Sequence, residues 1–379
     1  MYRIERSDSL VELFENGDRW DALAGGIPFR ETSWLKSWWS QFARDHEAYV
    51  LVAHDARGCV CGLMPFYRNP TSPSTLCFLG GNNACSDFTS VLAKPDQGEA
   101  IAGAMATFLI AEASSKDHAW ERIEIDGVSD DDRVMKRFAA SLQDAGAIVH
   151  AQSRMHTWLL ECSESWDAWL GTQSRRTRRK HRLLGSRVET TEGMHLQRAD
   201  RPEQLRQCLN RMIDLHQRRW NAVGKPGSYA DPNQREFIHA AAADMLARDR
   251  LHLLEVLLDG ECIGSSLNFV GANDFLYVYS TGYDPKAAKY EPGKILSTET
   301  LKYAHQHQMR GVDFLRGDEP YKKQLGATPT RMLELRIVAP RWWAKVCHNA
   351  WAAQFELKQW ARRRSGRDVI EVVDMALTS

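Results

Sequence analysis

VLVAHDARGCVCGLMPF (50–66) and LLEVLLDGECIGSSLNF (253–269) read as two copies of one element. Each is an apolar run, a turn carrying Asp55 or Asp259, and a Gly-to-Gly segment opening a second apolar run. The paired glycines are Gly58 with Gly62 and Gly260 with Gly264. β-rich runs around an Asp/Gly turn are the local signal of an antiparallel hairpin. The likeness continues downstream. Strand-like TLCFLG (75–80) leads to a helical run near 98–115 and then to strand-like RIEIDG (122–127). Strand-like FLYVYSTG (275–282) leads to helix-like residues 293–308 and then to strand-like GVDFLRG (311–317). Both copies close on a glycine, Gly127 and Gly317. Turn glycines are common enough for two such hairpins to arise by chance. Four successive elements in one order favour a duplication.

The chain has 379 residues, more than one hydrophobic core usually serves, so two α/β domains are expected. With 43% hydrophobic and 26% charged residues the composition is that of a globular protein. Lys plus Arg equals Asp plus Glu at 49 each, and this balance argues against non-specific nucleic-acid binding while leaving local patches open. No apolar run spans a bilayer, and MYRIERSDSLVELF lacks a signal-peptide core. The eight cysteines are scattered without a second pair at zinc-ligand spacing, several of them within apolar runs. The expectation is a reduced, cytoplasmic protein without a structural metal.

Three segments follow. Residues 1–155 form a first domain whose opening 1–48 read as helical, with Trp34, Trp38, Trp39 and Phe42 as a core-facing stripe. Residues 156–338 form a second, with helical patterns at 201–222 and 232–249. Residues 339–379 are an amphipathic helical tail rich in Trp and basic residues.

The run YSTGYDPKAAKYEPGKILSTETLKYAHQHQMRGVDFLRGDEPYKKQLGA (279–327) carries Tyr283-Asp284-Pro285, Pro292-Gly293, Asp313-Phe314 and Gly317 to Tyr321-Lys322. On these motifs the chain resembles the CelD-like acyltransferases of the GNAT superfamily, associated with cellulose or exopolysaccharide biosynthesis. Weaker matches are SDF (86–88), RRTRRKHRLL (175–184) and LHQRRW (215–220), so the resemblance covers most of 30–338. It implies tandem GNAT-like (acyl-CoA N-acyltransferase) domains, α/β, with mixed central sheets flanked by helices. It also implies acyl transfer from acetyl-CoA or another acyl-CoA to an amine or hydroxyl, the acceptor being a small molecule or glycan precursor. The family is in turn similar to the Fem-type peptidyltransferases, which have two GNAT-like halves and use aminoacyl-tRNA. The usual superfamily signature Gln/Arg-x-x-Gly-x-Gly/Ala is absent from both halves, which leaves other acyl donors open.

Acyl transfer from a thioester needs a place for the donor's phosphates, proton transfer and charge stabilisation. Pro292-Gly293 stands at a helix start, where free N–H groups favour an anion and Gly admits close approach. Lys294 and Lys289 add charge; the alternative is a plain helix start with solvated lysines. Tyr321 is the candidate to protonate the departing thiolate and Lys322 to stabilise negative charge, against a capping aromatic and a surface lysine. Asp313 is a general base or the structural partner of an arginine, since a buried carboxylate must be paired. Glu319 is a second base candidate. His216, Arg219 and Trp220 share a helix face that contacts substrate or simply packs. Asp87, after the Gly-Gly-Asn-Asn loop at 80–83, contacts the acceptor or forms a turn.

Arg175, Arg176, Arg178, Arg179, Lys180, Arg182 and Arg187 are the one charge block in a neutral chain. It suits a small anion or a solvated face better than tRNA, because no stacking aromatics lie within it. The tail, with Trp342, Trp343, Trp351, Trp360 and a run of arginines, either packs on the second domain or makes peripheral membrane contact. Besides acyl-CoA transfer, two alternatives stay open: an aminoacyl-tRNA-dependent transferase and a non-catalytic scaffold. Oligomeric state is not legible.

Overall fold

A computed structural model describes residues 2–43, 45–81 and 84–375, so Asn82 and Asn83 of the first-half loop lie outside the described residues. The chain divides into two compact units. One comprises Met1–Trp39, Ala43–His156 and Thr330–Ser379; the other comprises Ser40–Phe42 and Thr157–Pro329.

The first unit opens with β1 (Arg3–Ser7), α1 (Val11–Glu15), α2 (Gly17–Asp21) and most of α3 (Thr32–Phe42). It continues through β2 (Ala48–His54), β3 (Val60–Asn69), β4 (Ser72–Phe78), β5 (Leu92–Ala93), α4 (Gly98–Glu112), β6 (Arg122–Ser129), α5 (Arg133–Asp144) and the start of β7 (Ile148–Glu161). The second unit takes the end of β7, then α6 (Trp166–Thr172), α7 (Arg175–Thr190), β8 (Met194–Ala199), α8 (Pro202–Ala222) and α9 (Pro232–Ala247). There follow β9 (Leu251–Leu258), β10 (Glu261–Val270), β11 (Phe275–Tyr283), α10 (Pro292–Gln306), β12 (Gly311–Asp313) and α11 (Pro320–Gln324). The chain then returns to the first unit with β13 (Thr328–Val338), α12 (Trp342–Arg364) and β14 (Glu371–Val373).

The duplication is in the hydrogen bonding as well as the order. β2/β3 and β3/β4 are antiparallel and β4/β6 parallel; β9/β10 and β10/β11 are antiparallel and β11/β12 parallel. Each first hairpin carries a bulge one residue before its second glycine, at Cys61 and at Ile263. The glycines now have separate reasons. Gly58 and Gly260 hold φ near +80°, the left-handed region a tight turn needs. Gly62 and Gly264 let a helix lie on the sheet: an added Cβ would stand 2.7 Å from Ile101 Cγ2 of α4 or 2.9 Å from Pro292 Cβ of α10. The sheets are mixed and flanked by helices, the architecture expected.

Three differences from the sequence reading stand out. Arg3–Ser7, read as helical, is a strand paired with β2 from Arg3↔His54 to Ser7↔Val50. Residues 330–338, read as the end of the second domain, pair with β6 through Leu335↔Ile125 and Ile337↔Ile123. Conversely the end of β7 pairs with β12 through Leu160↔Val312, so each unit takes its closing strand from the other half of the sequence. The tail helix α12 belongs to the first unit, where its Trp351 packs on His150 and Arg336. Packing on the second domain had been expected.

Candidate active site

In the second unit β11 pairs with β12 only over Phe275–Tyr277, and beyond Tyr277 the two strands part. A bulge on β11 at Tyr279, between Asn268↔Val278 and Leu267↔Ser280, re-aims the strand at this point. The gap is a cleft of about 420 Å³, floored by Ser266, Val278, Thr281 and Tyr283 and walled by α7, α10 and the segment from Phe314 to Leu325.

One wall is the start of α10. Pro292 has no amide hydrogen, and the amides of Lys294 and Ile295 close on the Glu291 carbonyl at 2.9 and 3.1 Å. Gly293 N–H is the first-turn donor that these bonds leave over. Gly293 also lies against the Tyr283 ring, where a Cβ would stand 3.4 Å from Cδ1. Lys294 forms an ion pair with Glu291, whose carboxyl is held below its usual range by that bond and by Arg187. Across from it stands Lys180 of α7, lowered from the ordinary lysine value by burial and then by the Lys294 ammonium. Two crowded ammonium groups beside an amide without a partner among the described residues form a place that gains from an anion.

α7 is capped by Ser174, whose hydroxyl accepts from Thr177 N. Thr177, Lys180, His181 and Leu184 line the cleft at i, i+3, i+4 and i+7. Arg175, Arg178, Arg179 and Arg182 line a separate hollow at the protein surface. His181 Nδ1 is 2.9 Å from Thr298 Oγ1, which itself donates to Lys294 O at 2.8 Å. The threonine proton is therefore committed, which assigns the imidazole proton to Nδ1 and the lone pair to Nε2. Burial, then Lys180, pushes the His181 pKa down to about 4, so the ring is neutral at pH 7.

Tyr321 of α11 also lines the cleft, 39% exposed, its ring edge-on to Phe314 at 6.0 Å. Desolvation, then Glu319, holds its phenol well above the usual tyrosine range, with Arg219 pulling the other way. It is a proton donor rather than a phenolate at neutral pH. Arg219 reaches in from α8, over the Tyr283 ring at 5.3 Å and 3.4 Å from Thr281 O.

Of the residues singled out in the sequence, Gly293, Lys294, Arg219 and Tyr321 thus meet in one cleft. The others have different surroundings. Lys322 is only 2% exposed and donates to the carbonyls of Leu315, Arg316 and Gly317 at 2.9–3.2 Å while pairing with Glu319 at 3.0 Å. It braces the loop that presents Tyr321, and Glu319 is half-buried as its partner. Asp313 accepts from Thr157 Oγ1 at 2.6 Å and from Leu315 N at 2.7 Å, so a hydroxyl and an amide are among its structural partners. That bond holds Leu315 at φ +53°, an uncommon conformation for a branched residue. Lys289 is exposed over the Tyr290 ring at 4.8 Å. His216 is buried and accepts from Trp220 Nε1 at 2.8 Å through Nε2; burial lowers its pKa to about 4. Asp87 is buried in the first unit, 1% exposed. The sequence reading missed His181 and Thr298 and gave Tyr283 only as part of a motif. The spacing of Thr177, Lys180, His181 and Leu184 was the available signal for the inner face of α7.

Residues 173–323 match a family profile described as an acetyltransferase (GNAT) domain. The matched stretch lies within the second unit and spans less than half of the chain. Among solved structures the chain is similar to FemX at 14% identity and a TM-score of 0.59, over 84% of this chain and 95% of that one. It is similar to a conserved protein of unknown function from Bacteroides thetaiotaomicron at 11% identity and a TM-score of 0.57, over 89% and 100%. L-PGS from Bacillus licheniformis matches at 12% and 0.53, over 86% and 91%. At these identities the likeness is one of fold. Among curated protein sequences, none matches.

Proposed function

We propose that the second unit transfers an acetyl or related acyl group from coenzyme A to an amine or hydroxyl acceptor. The observation that carries this reading is the convergence, in the cleft opened by β11 and β12, of an anion-favouring end and a proton-donating end. Donor phosphates lie at Gly293 N–H, Lys180 and Lys294, displacing Glu291 from Lys294. The thioester lies along the edge of β11 that parts from β12 beyond Tyr277. Tyr321, neutral by virtue of its raised pKa, gives its proton to the departing thiolate. Arg219 stabilises negative charge at that end, and His181 Nε2 accepts the proton of the attacking amine or hydroxyl. The acceptor class, a sugar or polysaccharide precursor, rests on the CelD-like resemblance of the motifs around Tyr283, Gly293 and Tyr321, and a cytoplasmic setting on the composition.

Isothermal titration with coenzyme A and acetyl-coenzyme A tests the donor. Micromolar binding is expected, weakened about tenfold or more in Lys294→Ala and in Lys180→Ala, as for charge-assisted bonds of this kind. A second reading, with aminoacyl-tRNA as donor, is favoured by the outer arginine face of α7 and by the fold shared with FemX. Absence of coenzyme A binding together with salt-sensitive retention on RNA would select it. Absence of both, with thiol release unchanged in Tyr321→Phe, would leave a scaffold.

A further inference from the structure

α12 has two apolar faces and the first unit covers one of them. The inner face is Ala344, His348, Trp351, Phe355 and Gln359, at helical spacing. Trp351 stacks between His348 and Phe355 at 5.4 Å each and receives Arg336 at 4.4 Å, and Gln359 closes on Ile370 O at 2.7 Å. The outer face is Trp342, Val346, Ala350, Ala353, Leu357 and Trp360, at steps of four or three residues, and all six are exposed. Trp342 is 75% exposed, Leu357 65% and Trp360 49%. The stripe runs for about 27 Å at 1.5 Å per residue. Contiguous apolar surface of this kind on a soluble fold marks an interaction site.

The charge around the stripe names the occupant. Residues 341–367 hold Arg341, Lys345, Lys358, Arg362, Arg363, Arg364 and Arg367 against the single acid Glu356, in a chain of zero net charge. Among the described residues none of these seven has a carboxylate partner within ion-pair distance. Arg364 lies over the Trp360 ring at 4.2 Å, its stem along the apolar face and its head at the edge. A second copy on this stripe would bring two such cationic borders together. An anionic lipid surface meets them with opposite charge and takes up the indoles at headgroup depth. Among the described residues no helix is long and apolar enough to cross a membrane.

We infer that α12 is a peripheral membrane-binding helix, laying Trp342, Val346, Leu357 and Trp360 into the interface of an anionic bilayer. The inner face stays on the first unit, so no unfolding is needed.

The test is flotation of the full chain with phosphatidylcholine vesicles, with and without a minority of phosphatidylglycerol. Binding is expected to the anionic vesicles and to fall with salt. Trp342→Ser with Trp360→Ser should weaken it roughly tenfold per indole, since each removes a large buried apolar side chain. Lys358→Glu with Arg363→Glu should weaken it ~25-fold or more, because each basic residue near such a surface contributes a factor of about five. All four positions are exposed, and unchanged thermal unfolding would show that the variants remain folded. Failure to float with anionic vesicles overturns the inference, as does binding that the tryptophan pair leaves unchanged. So does a concentration-dependent dimer that the tryptophan pair dissolves while vesicles are ignored. The readout is independent of acyl transfer.

Discussion

The two units share an order of strands and helices and differ in what occupies the gap between their parallel strands. In the first unit β4 pairs with β6 over Thr75–Cys77, and beyond that the described part of the link to α4 packs inward against the end of β6. Ala84, Ser86, Asp87, Thr89, Ser90 and Val91 of that link are buried, and Thr89 N donates to Gly127 O at 2.8 Å, at the end of β6. β5 then adds to β3 at Gly62 and Leu63. In the second unit the same link is residues 284–291, a short turn held by Asp284 on Lys286 N, and the gap stays open. A duplicated fold thus gains or loses a site through one connection, its sheet unchanged. Asp87 belongs to this inward-packed link, so a residue in the position of a donor loop is buried.

The comparison is most directly broken at Tyr321. Tyr321→Phe should lower turnover about 10²- to 10⁴-fold with KM little changed, read as thiol release from acetyl-coenzyme A, whereas Asp87→Asn should leave turnover unaltered. If Asp87→Asn abolishes thiol release while preserving stability, the division of labour is wrong.

Acid should act on the second unit through its neutral histidines. The pKa values of His181 and His216 lie near 4 in the folded chain and near 6.5 in the unfolded one. The stability that goes with their neutral forms is present above about pH 6.5 and lost as pH falls towards 4, about 2–3 kcal/mol each. Urea midpoints at pH 7 and pH 4.5 measure the loss, and His181→Gln with His216→Gln should reduce its slope, the remainder including His252, which burial lowers to about 3. An unchanged slope in that pair would assign acid sensitivity elsewhere.

Gly62→Ala and Gly264→Ala should each destabilise by ~1–3 kcal/mol, because a helix already touches the missing Cβ. Parity between them sharpens the duplication; tolerance at one and not the other would show that only the sequence repeats. Lys289→Ala should change coenzyme A binding and stability by less than about 0.5 kcal/mol, and a larger loss in titration would return it to the donor site.

The hairpins, their glycines and the helices near 202–222 and 232–247 were legible because each depends on local spacing. The glycine pairs could be read as a repeat, but their purpose, one for a turn and one for helix contact, needs the third dimension. The exchange of β7 and β13 left no local trace: a strand's pattern tells which face is buried and not which neighbour it pairs with. Lys322 and Asp313 show the same limit in the site. Their side chains follow the motif, yet among the atoms they bind are the Leu315 and Arg316 carbonyls, the Leu315 amide and the Thr157 hydroxyl, none of which the motif names. Tyr321, Gly293 and Lys294 were found because they lie in motifs that begin a helix at the opening of the sheet.

The exchanged strands set a timetable for synthesis. β6 leaves the ribosome with its edge unpaired, and its partner β13 is made about two hundred residues later. At ~5–20 residues per second this edge waits for roughly 10–40 s, a window in which unpaired strands find wrong partners. The nascent first unit is therefore a natural client for chaperones, and neither half should be expressible alone as a finished fold. A chain stalled before residue 328 should be cut by protease within 122–129, and the released protein should resist.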